Sequence, residues 1–534
     1  MPLRPVGSVM RGPSDVSKTS VLLALCLAVF VVNVSTTVVN IALPTLVREL
    51  GATTTDLLWV VDAFNLAFAA LVLAAGSLSD RFGRRSALLL GLTLFAVASL
   101  VGAWSSSPEV LIAFRAVAGV AAAVVYPVTL SILSNVFTDR TERARAIGIW
   151  GAATGMSVAV GPIVGGALIE HFWWGSILVL NGGVAVLTLL LSVVVIPDSR
   201  DPSTPPLDIP GLVLSTTALG VLVYTIISAP ERGWSSPATL AGFAVAAVVL
   251  TAFVLQERRV EHPMLDVRLF ANLRFTAASG AVTSAFFALF GFIFLVTQYF
   301  QSVRSYGALE TGLRMLPVAI SLAAFALVGP RLAVAVGSKI VVALGLASLS
   351  AAFLWASTVG QDTDYLVIVG QMILLGGGLG LTSAPATEAI MGVVAPEKAG
   401  MGSAVNDATR ELGGTLGVAV IGSVALSVYR DNLGRPPVPD ALIEPARESI
   451  GAAQEAARQA ANLGGLAQAA GDQVLALART AFVDGFTTGC VVAGVVTALA
   501  GVLTLIYLPA HPEMAQHAGE ESVGQGVAAV DDAA

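Results

Sequence analysis

Along this chain apolar residues run in blocks of about 20, and charged residues fall mostly in the short segments between them. A helix rises about 1.5 Å per residue, so roughly 20 apolar residues cross the hydrocarbon core of a bilayer. The pattern predicts fourteen such helices, over residues 19–43, 56–79, 86–105, 109–134, 146–170, 175–196, 209–229, 237–256, 276–301, 313–334, 340–358, 364–393, 402–428 and 484–508. The expected fold class is an all-α polytopic membrane protein. Its first apolar block, Val21 to Leu43, is too long for a secretory signal and lacks a small-residue cleavage site, so it reads as a permanent span.

The pattern changes at 429–483, which is rich in Ala, Gln and Glu. Ile443, Ile450, Leu463, Leu466, Val474, Leu475 and Leu477 recur there at roughly helical spacing, which predicts an amphipathic helical insertion outside the membrane. It is either a lid over the outer mouth or a solvated hairpin. Residues 509–534, rich in Gly, Glu and Ala, read as a disordered tail.

Composition narrows the class. Of 534 residues, 12% are charged and 56% hydrophobic, where soluble domains carry about 25% charge, so a soluble protein is excluded. The net charge of −7 is concentrated in the tail and one late loop and says little about partners. Cys26 and Cys490, both in apolar blocks, suggest neither a disulfide nor a thiolate metal site. Basic residues are nearly all Arg amid abundant Ala, Gly and Val, a bias that suits a bacterial gene.

Arg and Lys set the topology, because positive residues are retained in the cytoplasm. With the N-terminus inside, seventeen basic residues fall in inner segments, among them Arg4, Arg11, Lys18, Arg81, Arg140, Arg200, Arg258, Arg268, Arg331 and Lys398. Only Arg48, Arg232, Arg304 and Arg314 fall in short outer loops. A multi-pass protein of the bacterial plasma membrane, with both termini cytoplasmic, is expected.

The segment from Gly76 through Asp80, Arg81, Gly83, Arg84 and Arg85 follows the second span, and a weaker echo, Gly329, Pro330, Arg331, Gly337 and Lys339, follows the tenth. Such an echo suggests two repeated halves, as in secondary transporters. Asp80 beside three guanidiniums suits a charge-paired latch; alternatively the arginines only enforce topology. In the fifth span, Gly148, Gly151, Gly155, Gly161, Pro162, Gly165 and Gly166 permit close backbone approach between helices.

These motifs resemble the major facilitator superfamily. Gly76 to Arg85 is similar to its signature loop, and Gly161-Pro162-x-x-Gly165-Gly166, with Gly155 before it, looks like its antiporter motif, thought to form a tight, leak-proof interface in exporters. Asn40-Ile-Ala-Leu-Pro44 resembles the end of helix one in the fourteen-helix drug:proton antiporter branch. There the motif begins with Asp; here that position is Ser35, with Thr37 retained, so the usual first-helix acid is missing. Arg115 resembles an Arg-x-x-Gln-Gly motif in which Ala118 replaces Gln.

The resemblance implies two six-helix bundles plus two extra central helices. The expected organisation is a cytoplasmic segment 1–18, a first bundle 19–196, two linker spans and a loop over 197–275, and a second bundle 276–508 that contains the 429–483 insertion. The implied function is export of hydrophobic drugs or antibiotics in exchange for protons by alternating access. No cofactor is expected; the proton gradient is the driving force. Partners expected are the bilayer, protons and a small hydrophobic substrate, cationic ones included, with no nucleic acid; the chain is expected to work as a monomer.

With Ser35 removing the usual acid, proton coupling must rest elsewhere. Asp62, about 10 Å deep in the second span, is the first candidate, since a carboxylate costs roughly 2.5–3.5 kcal/mol at a span's centre; alternatively it snorkels to the outer interface. Arg115, the basic residue of the fourth span, needs a carboxylate or several carbonyls, and either exchanges partners with an acid or forms a static ion pair. Near the inner ends of spans twelve and thirteen lie Glu388, Asp407, Arg410 and Glu411; the last three share one helix side and form either a proton relay or a structural ion-pair cluster. Asn40 is a further candidate. Phe64, Asn65, Tyr126, Asn181, Phe290, Gln298 and Tyr299 either face a cavity, where aromatic faces receive flat or cationic ligands, or pack in the core.

Two other classes come into question. An exporter of a lipid, siderophore or cell-wall precursor would have the same fold. A membrane-embedded enzyme or ATP-driven pump lacks support: His171, His262, His511 and His517 are scattered, no catalytic or metal-ligating set is evident, and no G-x-x-x-x-G-K-[ST] loop occurs.

Overall fold

The computed structural model describes residues 17–199, 208–261, 263–393, 399–436 and 438–509, and these are mostly helical, with no strand among them. The first six helices are α1 (Lys18–Leu50), α2 (Thr54–Phe82), α3 (Arg84–Gly102), α4 (Pro108–Val136), α5 (Arg140–His171) and α6 (Ser176–Val195). Then come α7 (Ile209–Arg232) and α8 (Pro237–Arg259), a 3-10 turn Val267–Ala271, and α9 (Leu273–Gln298), which runs on as a π turn, Tyr299–Val303. Short α10 (Ala308–Arg314) leads into α11 (Leu316–Val336), followed by α12 (Ser338–Ala356), α13 (Tyr365–Met391) and α14 (Ala399–Leu433). The last are α15 (Asp440–Glu448), α16 (Ile450–Leu463) and α17 (Gly465–Tyr507).

Fourteen helical segments are long and apolar enough to cross a membrane. Polar caps start many of them: Ser17 opens α1, Thr53 and Asp56 form a reciprocal capping box on α2, and Asp139, Asp208, Ser236, Asn272 and Asp364 cap α5, α7, α8, α9 and α13. Such side chains satisfy the free N–H groups where each helix leaves the apolar layer.

Among the first six helices, α2 packs on α4, α1 on α5, and α3 on α4 and α6. Among the later ones, α11 and α12 pack on α13, and α14 on α9 and α17. The two sets meet where α2 lies on α14 and α5 on α10, while α7 touches both α2 and α14. Two joints share one geometry. Gly83 alone separates α2 from α3 at φ +113°, and Gly337 alone separates α11 from α12 at φ +89°. Each donates its N–H four residues back, to Ser79 and Ala333, and only glycine adopts that backbone without strain.

Several expected boundaries move. Helix α1 continues through Pro44 to Leu50, so Arg48 sits in its last turn, not in a loop, with Nη2 2.8 Å from the Thr45 hydroxyl. The connection after α2 is one residue, not six, because α2 runs on to Phe82.

The 429–483 insertion is also different. Residues 465–483 are a continuous helical extension of the last span, and only the α15–α16 hairpin is separate from it. Ile443, Ile450 and Val474 are buried as the pattern expects, but Leu463 and Leu466 are 81% and 91% exposed, because they flank the Gly464–Gly465 turn at the tip. The hairpin lies back on the molecule instead of standing in solvent. The Thr54 hydroxyl donates to Glu448 O at 2.7 Å, Gln454 Nε2 donates to Ser302 O at 2.7 Å, and the Tyr429 hydroxyl donates to Ala446 O. Gly451 seats against Val47 of α1. The hairpin thus bridges the α1–α2 joint and the π turn after α9.

Candidate functional site

Arg115 projects from α4 into the space between α1 and α2 and is almost fully buried. Its Nε donates to Val60 O at 3.0 Å, and its Nη1 donates to Ser35 O at 3.2 Å and Ser35 Oγ at 2.9 Å. The guanidinium carbon lies 4.4 Å from the centre of the Phe64 ring, an arrangement that stabilises a desolvated cation. Nη2 has no partner. No described carboxylate pairs with Arg115, so of the expected alternatives carbonyls hold it, and Ser35 occupies the place where the resembling family carries its acid.

Asp62 is fully buried, and both its carboxyl oxygens lack a partner. One turn earlier, Leu58 presses on α14 so closely that a Cβ on Gly422 would lie 2.4 Å from its Cδ2. Residues four apart share a helix side, so Asp62 stands on the face of α2 that seals against α14. Asn65 lies on the same side; it too is fully buried, with neither amide atom bonded. Asn40 instead turns its Nδ2 back to Thr36 O at 3.0 Å within α1, leaving Oδ1 unpaired.

In the second set, Asp407, Arg410 and Glu411 share one side of α14, yet no ion pair joins them. Arg410 reaches across to α13, with Nη2 3.2 Å from the Thr387 hydroxyl and 3.4 Å from that of Ser383, and it lies over the Phe286 ring at 5.3 Å. Thr387 in turn donates to Asn406 Oδ1 at 2.9 Å. The static ion-pair cluster is therefore absent among the described residues. Asp407 is buried and Glu411 Oε2 is buried without a partner, on the helix that touches α4, the helix of Tyr126, between the two sets. Glu388 is exposed and stands outside this group.

Tyr126 belongs to an aromatic chain. Phe64 and Phe68 are 6.3 Å apart, Phe68 and Tyr126 5.6 Å, and Tyr126 and Trp150 5.3 Å. Trp150, which the sequence reading missed, is oriented by its indole N–H, 3.1 Å from the Thr129 hydroxyl. Its signal was available: an indole inside a span needs an acceptor. The remaining cavity candidates serve other ends. Tyr299 donates to Gly360 O at 2.7 Å and stacks on Phe486 at 5.3 Å; Gln298 bonds back to Phe294 O; Asn181 is buried in α6 with Nδ2 unpaired; Phe290 packs on Gly414. These four are packing residues in this arrangement.

The glycines of α5 divide by position. A Cβ on Gly161 would lie 2.2 Å from the Thr37 hydroxyl and one on Gly165 2.5 Å from Val38 Cγ2, so α5 lies directly on α1. Next to Pro162, Gly166 abuts Ala308 O of α10 at 2.5 Å, and Gly312 of α10 abuts Pro162 O at 2.3 Å on the same measure. By contrast Gly148, Gly151 and Gly155 meet nothing within 4 Å, contrary to the close packing expected of them, because that half of α5 borders open space. Among the described residues the molecule is sealed at the α1–α2 end and open along α5 toward the α2–α3 end.

At the joint after α2, Gly76 packs on Pro127, and Arg81 lies over Phe82. Arg84 N donates to Ser199 O at 2.9 Å. Arg85 donates to Val193 O at 2.7 Å and pairs with Asp198 at 3.4 Å, which ties the joint to the end of α6. The side chains of Asp80 and Arg140, together with Arg4, Arg11, Arg200, His262, Lys398 and the tail, lie outside the described residues.

Comparison with known proteins completes this picture. Residues 25–418 match the model of the Major Facilitator Superfamily. The chain is 35% identical over 489 residues to the "Multidrug efflux pump LfrA" of Mycolicibacterium smegmatis, covering 90% of this chain and 94% of that one. It is 30% identical over 507 residues to the "Tetracenomycin C resistance and export protein" of Streptomyces glaucescens, covering 92% of each. In fold it is similar to an inward-facing bacterial homologue of the human lysosomal transporter Spinster, with a TM-score of 0.64, 16% identity, and coverage of 92% of this chain and 96% of that one. The chain belongs to the Major Facilitator Superfamily and is a membrane transporter, not an enzyme.

Proposed function

We propose that this transporter exports small hydrophobic drugs or antibiotics in exchange for protons, by alternating access in a bacterial plasma membrane with both termini cytoplasmic. The cargo class rests on relatives named for multidrug efflux, for puromycin resistance in Streptomyces alboniger and for tetracenomycin C export. The proton rests on one observation: Asp62, fully buried and unpartnered where α2 seals against α14.

A lone carboxylate there would cost several kcal/mol, so the seal forms over Asp62 only when the acid is neutral. Opening the α1–α2 end exposes the acid to outside water, where it takes up a proton. Closure then follows, and the proton leaves past Asn65, one turn deeper, toward the open end. On that side Asp407 and Glu411 face Tyr126 and the aromatic chain, which offers ring faces to a flat substrate. Loss of the proton inside recharges Asp62 and favours reopening, while the drug is taken up at the inner, open end, so proton and drug cross in opposite directions, which is what exchange requires.

The test is drug-driven proton movement in proteoliposomes. Asp62→Asn, which keeps the size and removes the charge, is expected to retain drug binding and lose proton-coupled efflux. Undiminished coupled efflux at normal expression would overturn the assignment.

A further inference from the structure

The segment joining α8 to α9 has no part in that exchange, yet it is a built element. Glu257, 3% exposed, accepts from Leu265 N at 3.0 Å and so pins the chain where it leaves α8. Asp266 caps the 3-10 turn by accepting from Arg268 N at 3.1 Å. The turn is closed back on itself: Arg268 Nη2 donates to Arg258 O at 3.3 Å, and the Thr276 hydroxyl donates to Phe270 O at 2.6 Å. Arg258, Val267, Arg268, Phe270 and Ala271 line a cavity of about 550 Å³.

Two properties of this cavity point to one class of ligand. The first is charge. Arg258, Arg259 and Arg268 are exposed, and none forms an ion pair among the described residues. The second is apolar surface beside those charges: Phe270 is 37% exposed and Leu273 56%, and α8 presents Val248 at 68% and Leu255 at 47% along the run leading up to Arg258. The segment connects the ends of two spans, so the charges lie at the level of the lipid headgroups and the apolar residues at the level of the chains.

Guanidiniums bind phosphate oxygens through paired N–H donors, and basic clusters at the membrane surface attract anionic lipid. We propose that Arg258 and Arg268 hold the phosphate headgroup of an anionic phospholipid whose acyl chains lie along Leu255, Phe270 and Leu273. A soluble phosphate would match the arginines but leave the adjoining apolar surface without a role.

The experiment uses the purified full chain in neutral detergent, titrated with phosphatidylglycerol or phosphatidylcholine and read by native mass spectrometry. Phosphatidylglycerol is expected to be retained and phosphatidylcholine not. The variant Arg258→Gln/Arg268→Gln should bind phosphatidylglycerol about thirtyfold more weakly, the loss expected for two arginines at an anionic surface. A control, Arg143→Gln/Arg145→Gln, removes two arginines elsewhere and should bind as the parent does. All three proteins are compared by gel filtration and thermal unfolding, so that lost binding is scored only on folded protein. Equal retention of the two lipids, unchanged binding in the Arg258/Arg268 variant, or displacement by millimolar inorganic phosphate would each overturn the proposal.

Discussion

The Arg115 guanidinium donates to Ser35 Oγ at 2.9 Å, the side chain that stands where the resembling branch carries an acid. A hydroxyl gives a hydrogen bond but no counter-charge, and Arg115 Nη2 remains unpaired. Nearby acid does not fill the gap, since neither carboxyl oxygen of Asp62 bonds to Arg115. The cation is instead distributed over two carbonyls, one hydroxyl and the Phe64 ring.

This relationship is tested by stability. Ser35→Ala removes one acceptor from a buried cation and should destabilise the protein by about 1–3 kcal/mol, seen as a lower thermal midpoint in detergent. Ser35→Asp supplies a carboxylate at the same place and should recover the midpoint relative to Ser35→Ala. If the alanine variant is as stable as the parent, the hydroxyl does not hold Arg115.

The contact of α5 with α10 has no room for a methyl group. Gly312→Ala places a Cβ 2.3 Å from Pro162 O, a backbone atom that cannot swing aside, so a cost of about 1–3 kcal/mol and loss of efflux are expected. Gly155→Ala, in open space, should leave stability unchanged. Thermal unfolding of the two variants side by side checks the contrast; equal effects would contradict the α5–α10 interface.

The α15–α16 hairpin must part from α1 if the sealed end opens. A Cβ on Gly451 would lie 3.1 Å from Val47 Cβ, near enough for a disulfide after a shift of a few tenths of an ångström. Val47→Cys/Gly451→Cys should lose efflux under oxidation and regain it on reduction. The native cysteines, Cys26 half-buried and Cys490 buried, should not interfere. Full activity with the bond formed would show that the hairpin does not move relative to α1.

Trp150 ends the aromatic chain and is held by Thr129. Trp150→Ala should weaken binding of a flat cationic dye about tenfold, the equivalent of one aromatic or cation–π contact, with little change in thermal stability. Dye fluorescence titration measures this. Unchanged affinity would place the substrate elsewhere.

What the linear pattern determined is the number of spans and the glycines at two of the joints, because a lipid layer demands a fixed length of apolar helix and a tight reversal favours glycine. The fourteen helices, Gly83 and its counterpart Gly337, and the close-packed Gly161 and Gly165 were all legible in the residues. Partners were not. Whether Arg115 meets an acid or a carbonyl, whether Asp407 pairs with Arg410, and which α5 glycines are covered depend on how separate helices are rotated and how the halves are tilted. Burial of a side chain inside a multi-helix bundle is a property of its neighbours, and hydropathy reports only that a residue is within the layer. Trp150 and the hairpin seated on Val47 belong to this second kind: the sequence determined that they exist, and tertiary packing alone decided what they touch.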